Sequence, residues 1–311
     1  MWILTNKEQA MEIETASPKA SNTKATIARS PAVTREAQFA RTAKARKMLE
    51  KVPDVSNTLV KTEIDPMIRG RLVGWIVEVL QTLHTSLRYD ELFRTILVMD
   101  LFMKHAAAPL DDEDIHLIGV TSMFISSKYE TNKHLCVDEL TLKACHGKFT
   151  NSNIFEHEFT ILKTLGFNVS FPSHFDVLRL FLYELFEGDN PVFRTIEHLS
   201  NNFLLFCLMD VHFNNYLMDD LAIAIVVTSV KYYYSCKMAS ITGALSFGKV
   251  ENFSKQESMI VGQIYQYSGN AKNIEILVKL IGRYLQVFKQ KYGDCVYAIR
   301  LFDYNADLIG K

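Results

Sequence analysis

Two stretches of this chain are apolar or small on every side of a helix. Ile118 to Ile125 reads Ile-Gly-Val-Thr-Ser-Met-Phe-Ile, and Leu221 to Val227 reads Leu-Ala-Ile-Ala-Ile-Val-Val. A helix with no polar face must be enclosed by other helices, so each stretch demands a bundle of its own. Small residues in the first permit close approach. The second continues to Val230 and is closed by Asp219-Asp220 and Lys231, far short of the ~20 residues that span a bilayer. It reads as a buried core helix. No segment alternates with period 2 for long enough to make a substantial sheet. The expected fold is all-α, with one bundle around each enclosed helix.

The neighbouring segments supply those bundles. Leu72, Trp75, Ile76, Val79, Leu80 and Leu83 fall on one helical stripe. Asp90 is placed to cap a second helix carrying Leu92, Phe93, Ile96, Leu97, Met99 and Phe102, and the central helix runs from Ile115 to Tyr129. Asp138 to Cys145 gives a short helix, and Ser152 to Leu165 a longer one bearing Phe155, Phe159, Ile161, Leu162 and Leu165 before a stop at Gly166. Ser173 followed by Asp176 has the spacing of an acidic capping box and opens a second set. Further helices follow over 192–206, 219–234, 255–268 and 274–291. Two similar units of five helices is the reading. Residues 1–33 are rich in Ser, Thr, Ala and Lys, too polar to offset the entropy of ordering, and read as a flexible tail. Residues 34–51 form a helix that docks on the first unit, within a 34–63 docking helix and linker. The units themselves span 64–170 and 171–302, and 303–311 is a C-terminal tail.

Lys and Arg (34) nearly balance Asp and Glu (35), so no basic field draws the chain to nucleic acid or an anionic membrane. Five cysteines without a CxxC pair argue against a disulfide framework and for a reducing compartment. The first residues lack the basic start and long apolar stretch of a signal peptide. The expected location is nucleus and cytoplasm. Phosphate loops, dinucleotide fingerprints, HExxH and nucleophile elbows are all missing from the sequence, so neither enzymatic activity nor a cofactor is expected. His134, Cys136, Cys145 and His146 are metal-capable, but their spacing matches no standard zinc frame. They read as a polar loop His and small Cys residues on a short helix, with no metal. Tyr232-Tyr233-Tyr234 continues an apolar helix with little basic character beside it and reads as core packing with a surface rim.

Four segments carry a resemblance: IRGRLVGWIVEV from Ile68, LVMDLF from Leu97, HLIGVTSMFISSKYE from His116, and EHEFTILKTLGFNVSFPSHFDVLRLFL from Glu156. In order and interval they resemble the cyclin box of mitotic A/B-type cyclins, strongly over residues 64 to 180. The remainder resembles the more variable C-terminal cyclin fold. The resemblance implies two tandem five-helix cyclin folds and a non-enzymatic subunit that binds and activates a cyclin-dependent serine/threonine kinase, at the G2/M stage of the cell cycle. Arg69 and Asp100 match an internal ion pair between the first two helices, and Leu117 an apolar residue at the start of the central helix. Lys128 and Glu158 match the charged residues that hydrogen-bond the kinase, with Tyr129, Leu162 and Phe167 as apolar contacts beside them.

The resemblance also implies a shallow groove for Arg-x-Leu motifs of substrates or inhibitors, formed by Ile68, Leu72, Trp75, Glu78 and His116. The chain departs from the family at Arg71, which replaces an apolar groove residue, at Gly74 in place of Asp, and at Thr131 in place of Glu. Arg71 lies seven residues before Glu78 on nearly the same helical face and can reach toward it. There it would remove apolar area, partly neutralise Glu78 and repel the motif's Arg, so such peptides are expected to bind weakly; the alternative is that Arg71 snorkels outward, its stem covering the groove wall and its charge in water. Arg46, Leu49, Val52 and Asp54 resemble a destruction box but overlap the docking helix, and Ser17-Pro18 and Ser30-Pro31 are candidate phosphorylation sites. Three other functions remain open: a transcriptional cyclin, a nucleic-acid-binding protein like transcription factor IIB, and a non-activating scaffold. The second would need a zinc ribbon and a basic surface.

Overall fold

The structure, a computed structural model, describes residues 47–84, 87–186, 191–242, 247–268, 270–296 and 299–300. Every element among them is helical. The first set comprises α1 (Pro66–Leu83), α2 (Tyr89–His105), α3 (Ile115–Glu130), the short α4 (Val137–Glu139, continued as a π-turn over Leu140–Ala144) and α5 (Asn151–Thr164). The second comprises α6 (His174–Leu185), α7 (Pro191–Met209), α8 (Met218–Thr242), α9 (Phe247–Ser268) and α10 (Ala271–Tyr292), with a 3-10 turn at Val211–Asn215.

The two all-apolar stretches sit where their composition requires. Ile118 to Ser127 is buried without interruption in α3, which packs against α1, α2 and α5. Leu221 to Val230 is likewise buried in α8, enclosed by α6, α7, α9 and α10. Polar atoms on α8 are satisfied locally, the Thr228 and Ser229 hydroxyls donating to the carbonyls of Ala224 and Ile225 at 2.8 and 2.9 Å. Gly119 lets α3 approach α1, since a Cβ there would meet the Leu72 side chain at 3.0 Å.

Local signals explain the helix starts. Asp65 accepts from the Met67 N–H at 2.7 Å with Pro66 at the first helical position. At α6 the Asp176 N–H donates to the Ser173 hydroxyl and the Ser173 N–H donates back to Asp176, at 3.2 and 2.8 Å, so the capping box is real. Asp90 is not the cap of α2. The helix begins one residue earlier, at Tyr89, whose hydroxyl donates to Asn202 of α7 at 2.8 Å. Asp90 instead sits in the first turn, where a carboxylate suits the positive helix end, and its Oδ1 accepts from the Glu91 N–H at 3.0 Å. Helix α8 extends past Tyr234 to Thr242, with Tyr234 buried.

The burial of α2 differs from the sequence reading. Helix α2 is buried along its whole length from Glu91 to Met103, although its pattern suggested one apolar stripe. It lies between α3 and the α6–α7 pair, so its outer face belongs to the seam between the two sets. Buried side chains of both sets consequently form one continuous core. Residues 1–46 lie outside the described residues, and with them the expected tail over 1–33, the 34–46 part of the expected helix, Arg46, Ser17 and Ser30. Of the remainder of that helix, only 47–49 is helical among the described residues. Leu49 and Val52 pack partly buried on the core, and Asp54 pairs with Lys104 at 2.6 Å.

Candidate functional site

Ile154 and Ile161, seven residues apart and both fully buried, anchor α5 against α3. At about 100° of rotation per residue, that contact turns Glu158, Leu162, Phe155 and Phe159 progressively outward. Lys128 stands in the last turn of α3, where a cation suits the negative helix end. Its ammonium donates to Glu158 Oε1 across the α3–α5 seam and lies 4.0 Å from the ring centroid of Phe124. Leu162, one turn beyond Glu158, is half-buried, and its carbonyl accepts the Phe167 N–H at 2.7 Å.

The turn after α5 presents Phe167. Gly166 has φ +60° and Phe167 has φ +56°, two successive left-handed residues. Glycine takes this conformation readily, whereas an aromatic residue is strained by about 1–3 kcal/mol. In this turn the Phe167 ring stands out of the core, 62% exposed and edge-on to Phe159 at 6.1 Å. Tyr129 is also exposed. Phe155 and Phe159, read from the sequence as part of the apolar face of their helix, are instead outward-facing at 48% and 58% exposure. The signal was available: they repeat at i, i+4, one residue behind the Ile154/Ile161 stripe. The Lys128–Glu158 pair is thus bordered by exposed aromatic side chains, a feature that marks interaction surfaces.

Sequence reasoning also missed Arg94. Its side chain is almost fully buried in α2 and bonds Glu130 at the end of α3 at 2.7 Å, Asp176 of the α6 cap at 3.3 Å, and the carbonyls of Val169 and Phe171. Its guanidinium also lies 4.9 Å from the Tyr129 ring centroid. One residue therefore holds the end of α3, the segment following Phe167 and the start of α6. A lone Arg within Leu92-Phe93-Arg94-Thr95-Ile96-Leu97 was the sequence clue, since a buried charge needs partners.

Arg69 and Asp100 form a fully buried bidentate pair between α1 and α2, at 2.9 and 2.6 Å. Arg69 also donates to the Leu208 carbonyl of α7, and Asn214 donates to Asp100 at 2.8 Å. Breaking such a pair commonly costs about 3–5 kcal/mol, because it strands a buried charge. His174 at the start of α6 is completely enclosed nearby, and burial lowers its pKa to about 4. Leu117 is half-buried at the edge of the core.

On α1, Leu72 is buried, Ile68 and Trp75 are half-buried, and Glu78 is exposed. Trp75 meets His116 edge-on at 4.7 Å, and His116 meets Phe149 at 5.2 Å. Burial, with Lys148 nearby, lowers the His116 pKa. Arg71 does not turn to Glu78: its Nε lies 2.8 Å from Asp294, with both side chains about half exposed. The end of α10 delivers that carboxylate to α1, a placement no local spacing could indicate. Trp75 and Glu78 line a cavity of about 420 Å³ together with Val79, Thr82 and Arg300.

A family model described as the cyclin N-terminal domain matches residues 38–170. The chain is 30% identical over 179 residues to Cyclin-A2-1 of Arabidopsis thaliana, covering 57% of this chain and 39% of that protein. It is 33% identical over 124 residues to Cyclin-B2-2 of Oryza sativa subsp. indica, covering 40% and 28%. The chain thus spans well under half the length of these relatives. Among solved structures, a viral cyclin from herpesvirus saimiri matches with a TM-score of 0.54 at 14% identity, over 77% of this chain and 96% of that one. At that identity the likeness speaks to fold.

Proposed function

The chain belongs to the cyclin family through its N-terminal cyclin domain, and on that premise we propose that it binds and activates a cyclin-dependent serine/threonine kinase. The observation that carries this reading is the Lys128–Glu158 pair, partly exposed and bordered by the exposed rings of Tyr129, Phe159 and Phe167. Lysine offers three donors and a carboxylate about four acceptor sites, so each member retains hydrogen-bonding capacity for a partner. An apolar patch with a charged centre suits the mobile regulatory helix of a kinase. Held against it, that helix can bring the kinase's own Lys–Glu pair together and free its activation loop. This chain contributes no catalytic group in such a mechanism.

The likeness to A- and B-type cyclins supports a role in the cell cycle, and we assign it to G2/M, in nucleus and cytoplasm. Substrates or inhibitors with Arg-x-Leu motifs are proposed to dock weakly on α1. The deciding experiment is capture of the tagged full chain from synchronised cells, followed by identification of bound kinase and assay of its activity. Wild type should retain an active kinase and Lys128→Ala/Glu158→Ala should not, with helical content unchanged. Equal kinase activity from both forms would overturn the proposed interface.

A further inference from the structure

The two departures from the family pattern on α1, Arg71 and Gly74, meet the same stretch of this chain. Arg71 pairs with Asp294 at 2.8 Å. A Cβ on Gly74 would lie 3.1 Å from Cys295 Sγ and 3.2 Å from its Cβ, closer than ordinary contact, so the missing side chain makes room for Cys295. Burial accordingly pushes the Cys295 thiol up to about 11. The departure point is firm, because the Tyr292 hydroxyl donates to the Met209 carbonyl at 2.8 Å and Tyr292 is fully buried. Farther on, Arg300 lines the same cavity as Trp75 and Glu78. The chain there reads Arg300-Leu301-Phe302, a cation followed by apolar residues.

We propose that Asp294, Cys295 and Arg300 form an intramolecular strap on α1, which places the chain's own cation beside Glu78 and must be displaced before a basic-apolar peptide can dock. This rests on the reading that the α1 groove accepts Arg-x-Leu peptides. Arg71 has a specific part in it. With Asp294 as its partner it anchors the strap, and an exposed pair of this kind is weak enough to open. The outcome is a competition within one molecule, in which peptide affinity is reduced by the fraction of molecules with the strap closed.

A cross-link tests this directly. The Cβ atoms of Gly74→Cys and Cys295 start a few tenths of an ångström closer than the usual disulfide range of about 3.5–4.5 Å. Mild oxidation should therefore join them in the full chain. The oxidised form should bind a labelled Arg-x-Leu peptide at least roughly tenfold more weakly than the same protein reduced. Arg300→Ala, at an exposed position, should bind it several-fold more tightly than wild type, and carries the test alone if Gly74→Cys fails to fold. Failure of the cross-link to form in folded protein would overturn the strap. So would equal peptide affinities in the oxidised, reduced and Arg300→Ala forms. Absence of binding by every form, while the captured kinase remains active, would overturn the docking role of α1 and leave kinase activation standing.

Discussion

Lys128 at the end of α3 and Glu158 in the middle of α5 are bonded to each other across the seam between their helices. The two charges assigned to an outside partner already hold one another in place, and this separates their structural role from their binding role. Exposed or half-exposed pairs contribute about 0–1 kcal/mol to stability, whereas truncating one side of a desolvated charged contact at an interface costs about 2–5 kcal/mol. Exchanging the charges, with Lys128→Glu and Glu158→Lys together, should keep the unfolding midpoint in urea close to wild type while captured kinase activity falls at least roughly tenfold. Recovery of activity in the exchanged form would mean that the pair serves only this chain.

Phe155 and Phe159 contribute little to the core, being 48% and 58% exposed. Phe155→Ser combined with Phe159→Ser should shift stability by no more than about 1 kcal/mol and weaken kinase association roughly fivefold or more, as expected for aromatic contacts at an interface centre. A binding titration beside a urea melt gives both values. A large loss of stability with unchanged binding would assign these rings to the fold instead.

Arg94 should behave in the opposite way to Lys128. Arg94→Met leaves Glu130, Asp176 and the carbonyls of Val169 and Phe171 without their shared donor. The expected destabilisation is about 3–5 kcal/mol. Arg94→Lys should recover only part of it, because an ammonium cannot reproduce the planar fork. Equal stabilities for Arg94→Met and Lys128→Met would show that the Arg94 bonds are not carrying the seam.

His174 makes stability depend on pH. An imidazole ordinarily titrates at 6.5, and burial lowers this one to about 4. Between those values the unfolded chain binds the proton and the folded chain does not. This contribution is therefore fully present above pH 6.5 and is lost as pH falls toward 4, by up to about 1.4 kcal/mol per pH unit. Urea midpoints at pH 7.5, 6 and 5 should fall more steeply for wild type than for His174→Gln, about these conditions. Parallel slopes would remove His174 as the source.

Much of the fold is legible in the sequence. The enclosed runs in α3 and α8 follow from composition around a single helix, and the Ser173–Asp176 cap follows from spacing within one turn. Less could be read of α2, whose complete burial depends on a second set of helices covering the side that one stripe leaves free. Its start lies at Tyr89, one residue before Asp90, a difference no larger than the usual fraying of helix ends.

The site divides along the same line. By itself the sequence determined which helices form, which residues each one presents, and which positions match the cyclin pattern, because periodicity and capping act within a few residues. Only the tertiary structure decided that Lys128 meets Glu158, that Phe155 and Phe159 stay in solvent, that Arg94 gathers three segments, and that Arg71 faces Asp294 rather than Glu78. A helical pattern specifies a face. The partner on that face is chosen by where distant elements pack, and packing minimises the exposure and unpaired charge of the whole chain rather than of any one helix.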